Sequence, residues 1–297
     1  MKLPNFLIIG VQKAGTSSVY HYLKGHPQVY MSPIKEPNFL MRDWQSDPTT
    51  RVQRNKGKIR TLEAYCQLFQ ASQDEVAIGE ASPNYLFHYQ SAADQIQKYV
   101  PQAKLICILR NPVDRAYSDY LMHLRDAIHD KPRSLSEQIR YRAQQSFIIR
   151  KGFYYAPLKH FYTIFGREQL RVYLYDDLCE SAVDFMQEIY RFLEVDSSFR
   201  PDVSRKAQVA QVPQNQWLNK LLRRENRARR VAATILRPLM SPQARHRLRA
   251  QLLNLNSKDK SQEPLRPEDR QQLIELYRED ILKLQDLVHR DLSSWLT

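Results

Sequence analysis

Cysteine is scarce in this chain of 297 residues, with only Cys66, Cys107 and Cys179, far apart and in no metal-ligand spacing. That disfavours both a disulfide framework and a zinc centre. Cys107 lies inside an apolar run and reads as core filler. No apolar stretch is long enough to cross a bilayer, and Met1-Lys2-Leu3-Pro4 passes straight into the first apolar run with no signal-peptide pattern. A cytoplasmic location is the resulting expectation. Internal repeats are missing too, which excludes a solenoid or array. Glycine is sparse, seven in all, and two of the seven, Gly10 and Gly15, bound one short loop.

Positive charge is what the chain has in excess, 45 basic against 32 acidic residues for a formal +13. Polyanions are plausible partners by field alone. Part of the excess is concentrated at 217–250, where Arg223, Arg224, Arg227, Arg229 and Arg230 alternate with Leu218, Leu221, Leu222 and Ile235 near helical spacing. Such a basic amphipathic helix caps a domain with a solvated face, or it touches an acidic substrate or an anionic surface. A nucleic-acid partner is not expected, because charge alone leaves the motifs below unexplained.

Periodicity gives a mixed α/β order. Strands are predicted near Phe6–Ile9, Val76–Gly79, Lys104–Leu109 and Arg171–Tyr175. Helices are predicted near Ser17–Lys24, Ser91–Val100, Pro112–Arg125, Ala156–Phe165, Ala182–Leu193 and Glu268–Arg290. Alternation of this kind implies a P-loop-like three-layer α/β fold, a central parallel sheet flanked by helices. The length suits a single domain over 1–297, with a nucleotide-binding and catalytic core at 1–200 and a basic helical extension at 201–297. The polar stretch 43–58 reads as a loop or lid, and 254–267 as a mobile connection.

The chemistry starts at Gly10-Val-Gln-Lys-Ala-Gly-Thr-Ser-Ser18. Strand, glycine-bounded loop and helix start, in that order, cradle a phosphate on backbone N–H groups. An ATP-type loop reads G-x-x-x-x-G-K-[ST], but Thr16 stands at the lysine position and the lysine has moved inside, to Lys13. A second strand, Lys104–Leu109, ends in Arg110-Asn111-Pro112 where a nucleoside triphosphatase usually offers a magnesium carboxylate. Asp114 follows Pro112 on a helix and is poorly placed to replace it. Arg110 and Ser118 supply forked and hydroxyl donors for a second anion. Two anion sites on one sheet imply a nucleotide phosphorylated at both ends, and they disfavour a P-loop kinase.

With these motifs the chain resembles the sulfotransferases that use 3′-phosphoadenosine-5′-phosphosulfate (PAPS), in a bacterial form similar to the heparan sulfate enzymes. Matching segments are Gln12–Ser18, Ser32–Leu40, Gly79–Tyr85, Arg110 with Ser118, and Arg150–Tyr155 with the run to Leu178. The likeness covers roughly residues 4 to 195 and the final Ser294-Trp295-Leu296. It implies metal-independent, in-line transfer of a sulfuryl group from PAPS to an acceptor hydroxyl or amine, leaving 3′,5′-adenosine bisphosphate (PAP). Acceptors to consider are a carbohydrate, a glycolipid or a carrier-bound hydroxyacyl group. Retention of Lys13 and Glu36 argues against a nucleotide-binding pseudoenzyme.

Lys13 is the expected stabiliser of the leaving oxygen, while Gln12, Ala14, Gly15, Thr16, Ser17 and Ser18 hold the 5′-phosphate. The family's acidic position falls on Glu36, expected to take the acceptor proton. Arg110 and Ser118 match the 3′-phosphate site, and Lys151 and Gly152 are expected to close over the nucleotide. His88 and His123 are competing bases by likeness to cytosolic sulfotransferases, although each reads more readily as packing or surface. Arg115 is either a nucleotide contact or an ion-pair partner of Asp119. Tyr154 and Tyr155 either stack on adenine or pack in the core. Two departures stand out: Ala81 replaces a lysine that heparan-type relatives carry, which weakens the case for a glycosaminoglycan acceptor, and Asn38 replaces a histidine found in some relatives.

Overall fold

The computed structural model describes residues 1–41, 59–126, 133–204 and 264–297, with the backbone of two short strands at 211–213 and 257–259. The expected lid at 43–58 and the basic helix at 217–250 both fall wholly outside the described residues. The chain divides into two compact units, one of Met1–Arg115, Lys151–Ala207 and Tyr277–Thr297, the other of Ala116–Arg150 and Gln208–Leu276.

The first unit is built on a five-stranded parallel sheet, ordered β2-β3-β1-β4-β5. Its strands are β1 (Phe6–Gly10), β2 (Val29–Met31), β3 (Ala77–Ala81), β4 (Lys104–Leu109) and β5 (Leu170–Leu174). The expected α/β architecture is therefore present, a parallel sheet flanked by helices. Every residue of β1 is buried, as are Leu105–Leu109 of β4, so the uninterrupted apolar runs match central strands covered on both faces. Cys107 is buried within β4 as core. β5 occupies an edge and shows an exposed Arg171 instead.

Helices α1 (Thr16–Lys24), α2 (Leu62–Gln67), α3 (Tyr89–Tyr99), α7 (Tyr155–Gln169), α8 (Tyr175–Glu180) and α9 (Ala182–Leu193) belong to this unit. Helix α9 is anchored by Ser181, whose hydroxyl accepts from the Asp184 amide, and it buries Phe185, Met186, Ile189, Tyr190 and Leu193. The sequence did not announce β2, α2 and α8, each too short for a periodic signal.

Helix α4 (Pro112–Arg125) starts in the first unit and continues into the second. The second unit also holds α5 (Leu135–Arg142), α6 (Phe147–Arg150) and the antiparallel pair β6 (Gln211–Pro213) and β7 (Ser257–Asp259). β7 lies inside the segment expected to be a mobile connection. Helix α5 begins with a reciprocal cap between Ser134 and Glu137. The long C-terminal helix α10 (Pro267–Val288) matches the predicted one within a few residues. No helix among the described residues is long and apolar enough to cross a membrane.

Candidate active site

The loop after β1 is shaped by its backbone. Lys13 has φ of 72° and Gly15 φ of 78°, both left-handed. Glycine adopts this conformation at little cost, whereas lysine does so against a steric penalty of about 1–2 kcal/mol. A Cβ at Gly15 would stand 2.6 Å from Leu178 Cδ2, so space as well as φ restricts the position to glycine. The Val11 amide donates to Ile108 O at 2.9 Å, tying the loop to β4, and α1 begins at Thr16. Thr16 and Ala14 are buried, while Gln12, Lys13, Ser17 and Ser18 are half-buried around the loop and the first turn of α1. Its donors are backbone N–H groups, an ammonium and hydroxyls at the positive end of a helix, and 10–18 contains no carboxylate. That set fits a sulfonated phosphate.

Arg110 follows β4 and reaches this loop, its Nη1 donating to Lys13 O at 2.9 Å. The guanidinium lies over the Tyr175 ring, 4.7 Å from its centroid. Tyr154 donates its hydroxyl to Arg110 O at 3.0 Å. Tyr154 is buried, with its phenol pushed up by that burial, so it is a packed support and not a platform for adenine. Lys151 Nζ donates to Gln12 Oε1, and a narrow cleft runs between Val11, Gln12, Leu86, Lys151 and Phe153.

The segment carrying Lys151 is held from α10. Asp280 accepts from the Tyr154 amide at 2.8 Å and the Tyr155 amide at 3.2 Å, capping α7. Gly152 lies under Tyr277, where a Cβ would come within 2.7 Å of the ring.

Glu36 sits beyond β2, on the strand-end side that also holds the loop. Its amide donates to Ala81 O at 3.0 Å, and the neighbouring Ser82 amide donates to Ile8 O at 3.0 Å, so the segment is joined through β3 to β1. The carboxylate is ion-paired with Lys35, Nζ to Oε1 2.8 Å. Both Glu36 (φ 60°) and Asn38 (φ 52°) are left-handed, as Lys13 is. Non-glycine residues held there persist only where their surroundings over-determine them, and they gather at functional sites.

Among the expected site residues, the structure brings Gln12, Lys13, Gly15, Arg110 and Lys151 together. Ser118 is buried on the part of α4 that belongs to the second unit, and Arg115 is buried at the end of the first. His88 caps the start of α3 with its ring edge-on to Phe87, 5.1 Å between centroids. His123 is also on α4 in the second unit, 3.7 Å from Asp119 one turn back.

Sequence reasoning missed two contributors, Tyr175 under Arg110 and Glu80. Glu80 is a carboxylate fully buried in β3, accepting from Tyr85 Oη at 2.6 Å, Ser82 Oγ at 2.7 Å and Tyr65 Oη at 3.3 Å. Burial raises its pKa to about 7; hydrogen bonds from Tyr85, Ser82 and Tyr65 oppose the rise, and repulsion from Glu36 adds to it. The sequence signal was its place in the matching segment Gly79–Tyr85, just past a strand predicted to end at Gly79 and observed to run to Ala81.

A stability prediction follows from the sign of that shift. Between about pH 4.5 and 7 the folded protein holds a proton at Glu80 that the unfolded chain has lost. Glu80 therefore lowers stability as pH rises through this window, by up to roughly 3 kcal/mol. Denaturant titrations at pH 5 and pH 8 should show this decline in the wild type and a smaller one in Glu80→Gln. Equal pH dependence in the two proteins would mean that Glu80 titrates normally.

Residues 4–200 match the sequence profile described as "Sulfotransferase family". Carbohydrate sulfotransferase 15 of Mus musculus is 26% identical over 251 aligned residues, 65% of this chain and 44% of that protein. The human bifunctional heparan sulfate N-deacetylase/N-sulfotransferase 3 is 30% identical over 209 residues, 65% of this chain and 22% of that protein. The chain thus spans less than half the length of these curated relatives. The crystal structure of a sulfotransferase from Alicyclobacillus acidocaldarius superposes with a TM-score of 0.71 at 27% identity, covering 100% of both chains.

Proposed function

The chain belongs to the sulfotransferase family, and from that premise we propose that it moves a sulfuryl group from PAPS to a hydroxyl or amine, releasing PAP. The observation that carries this reading is the pairing of two anion-binding elements on neighbouring strands: Lys13 held left-handed after β1, with Arg110 donating to its carbonyl from the end of β4. Both lie outside the carboxyl ends of parallel strands, where α/β sheets bind their ligands. An arginine at the end of β4 and Thr16 at the lysine position of an ATP loop favour this donor over Mg-ATP.

PAPS supplies the activated sulfuryl group, and the chain's residues bind, orient and move one proton. The loop 12–18 holds the 5′ end through backbone N–H groups and the Thr16, Ser17 and Ser18 hydroxyls. Arg110 takes the 3′-phosphate, and Lys151 and Gly152 close the nucleotide end. Glu36 accepts the acceptor's proton as the acceptor atom bonds to sulfur. The sulfur–oxygen bond to the 5′-phosphate breaks, its electron pair stays on the phosphate oxygen, and Lys13 stabilises that charge. A carbohydrate acceptor is the preferred class, since relatives carry carbohydrate and heparan sulfate in their names. Ala81, where a lysine is expected, favours one with less negative charge than heparan sulfate.

Calorimetric titration with PAP, 5′-AMP and ATP, with and without magnesium, tests the donor. Selective, magnesium-independent binding of PAP is expected. Arg110→Ala should weaken PAP by roughly tenfold to a hundredfold, the worth of a charged hydrogen bond, and leave 5′-AMP much less affected. Preference for Mg-ATP would replace the reading with a kinase, and equal weakening of both nucleotides would remove Arg110 from the 3′ site.

A further inference from the structure

Glu36 belongs to a strap, Ser32–Leu40, that runs beside the end of β3 and is gripped at four amides. Ser32 N donates to Gly79 O at 2.8 Å and Glu36 N to Ala81 O at 3.0 Å, as a strand edge would. The next two grips are different. Asn38 N donates to Ser82 Oγ at 3.0 Å, and Leu40 N donates to Tyr85 Oη at 3.1 Å. Both hydroxyls in turn donate to one buried carboxylate, Ser82 to Glu80 Oε2 and Tyr85 to Glu80 Oε1. Tyr65 joins the same oxygen and stacks its ring on Phe39 of the strap, centroids 4.6 Å apart.

A hydroxyl has one proton and two lone pairs. To accept from a backbone amide it must send its own proton elsewhere. Above about pH 7, where Glu80 is ionised, its carboxylate accepts on both oxygens, so one buried group draws both protons inward and leaves lone pairs facing Asn38 N and Leu40 N. Glutamine cannot do this symmetrically. Its NH2 would face one hydroxyl with a donor, and that hydroxyl's own proton would lose its buried acceptor and turn toward the strap amide. The arrangement also accounts for the left-handed backbone at Glu36 and Asn38. Strain of that kind needs fixed neighbours, and the strap is fixed on either side of it.

We infer that Glu80 is a positioning residue for the reaction: through the Ser82 and Tyr85 hydroxyls it locks the strap that presents the Glu36 carboxylate. The inference rests on the catalytic reading of Glu36. Glu80 itself is fully buried, and its hydrogen bonds reach the strap amides through these two hydroxyls.

The test, at pH 8 where Glu80 is ionised, combines amide hydrogen exchange with turnover and PAP binding. In Glu80→Gln the Asn38 and Leu40 amides should exchange roughly fivefold faster or more, the worth of a net hydrogen bond. In Ser82→Ala the effect should fall on Asn38, and in Tyr85→Phe on Leu40. These two variants keep the test open if Glu80→Gln folds poorly. In all three, kcat should fall roughly tenfold or more, as a misplaced catalytic group demands, with the Kd for PAP within about twofold. Ser82→Thr, which keeps the hydroxyl, should restore both exchange and kcat. Unchanged exchange at both amides, or faster exchange with wild-type kcat, overturns the inference. So does a uniform rise in exchange across β1, β3 and β4, which marks general destabilisation. Full activity in Glu36→Gln would instead remove the catalytic reading while leaving the exchange pattern as it stands.

Discussion

Lys13→Ala should reduce single-turnover sulfuryl transfer by about 10²–10³-fold, the usual cost of removing one preorganised donor from a developing negative charge. The structure provides the preorganisation. Lys13 is left-handed, its carbonyl is held by Arg110 at 2.9 Å, and the loop's start is pinned to β4 through Val11. The ammonium is thus offered from a backbone that does not need to rearrange. Because charge grows on the leaving oxygen only as the bond breaks, the rate should fall further than PAP affinity does. Quenched-flow measurement at saturating PAPS, paired with calorimetry on PAP, separates the two. Turnover within a few-fold of wild type would exclude Lys13 from the chemical step. A loss confined to affinity would make it a binding residue only.

Glu36→Gln should lower kcat by about 10²–10⁴-fold and leave PAP affinity within about twofold. The substitution keeps size and polarity but removes the proton-accepting carboxylate. It also ends the ion pair with Lys35, which is partly exposed and so contributes little to stability. Thermal unfolding should accordingly shift by only a degree or two. The comparison with Lys13→Ala is informative, since the two residues serve opposite ends of the transfer. If Glu36→Gln turns over normally, His88 is the alternative within the first unit, and His88→Gln becomes the next variant to measure.

The most legible parts of the sequence were contiguous. Phe6-Leu7-Ile8-Ile9 and Leu105-Ile106-Cys107-Ile108-Leu109 read as buried strands because strands covered on both faces need no polar alternation. The candidate phosphate loop and the arginine after β4 were visible because each is local, a strand end followed at once by its candidate anion-binding residues. Helices α3, α4, α7, α9 and α10 came from periodicity within a few residues of their observed ends. Less was legible where elements are short, as with β2 at three residues and α8 at six.

By itself, the sequence determined the α/β class and offered two candidate anion-binding motifs, while the family resemblance supplied Lys13 and Glu36 as candidate stabiliser and base. The physical reason is that periodicity and strand–loop–helix chemistry act over a few neighbouring residues. Only the tertiary structure decided the strand order, the stacking of Arg110 on Tyr175, the packed role of Tyr154 and the place of Glu80. Those depend on partners far apart in the chain, such as Asn38 with Ser82 and Leu40 with Tyr85, 44 and 45 residues away. A glutamate in a strand looks like a surface residue until the hydroxyls of Ser82, Tyr85 and Tyr65 are folded around it.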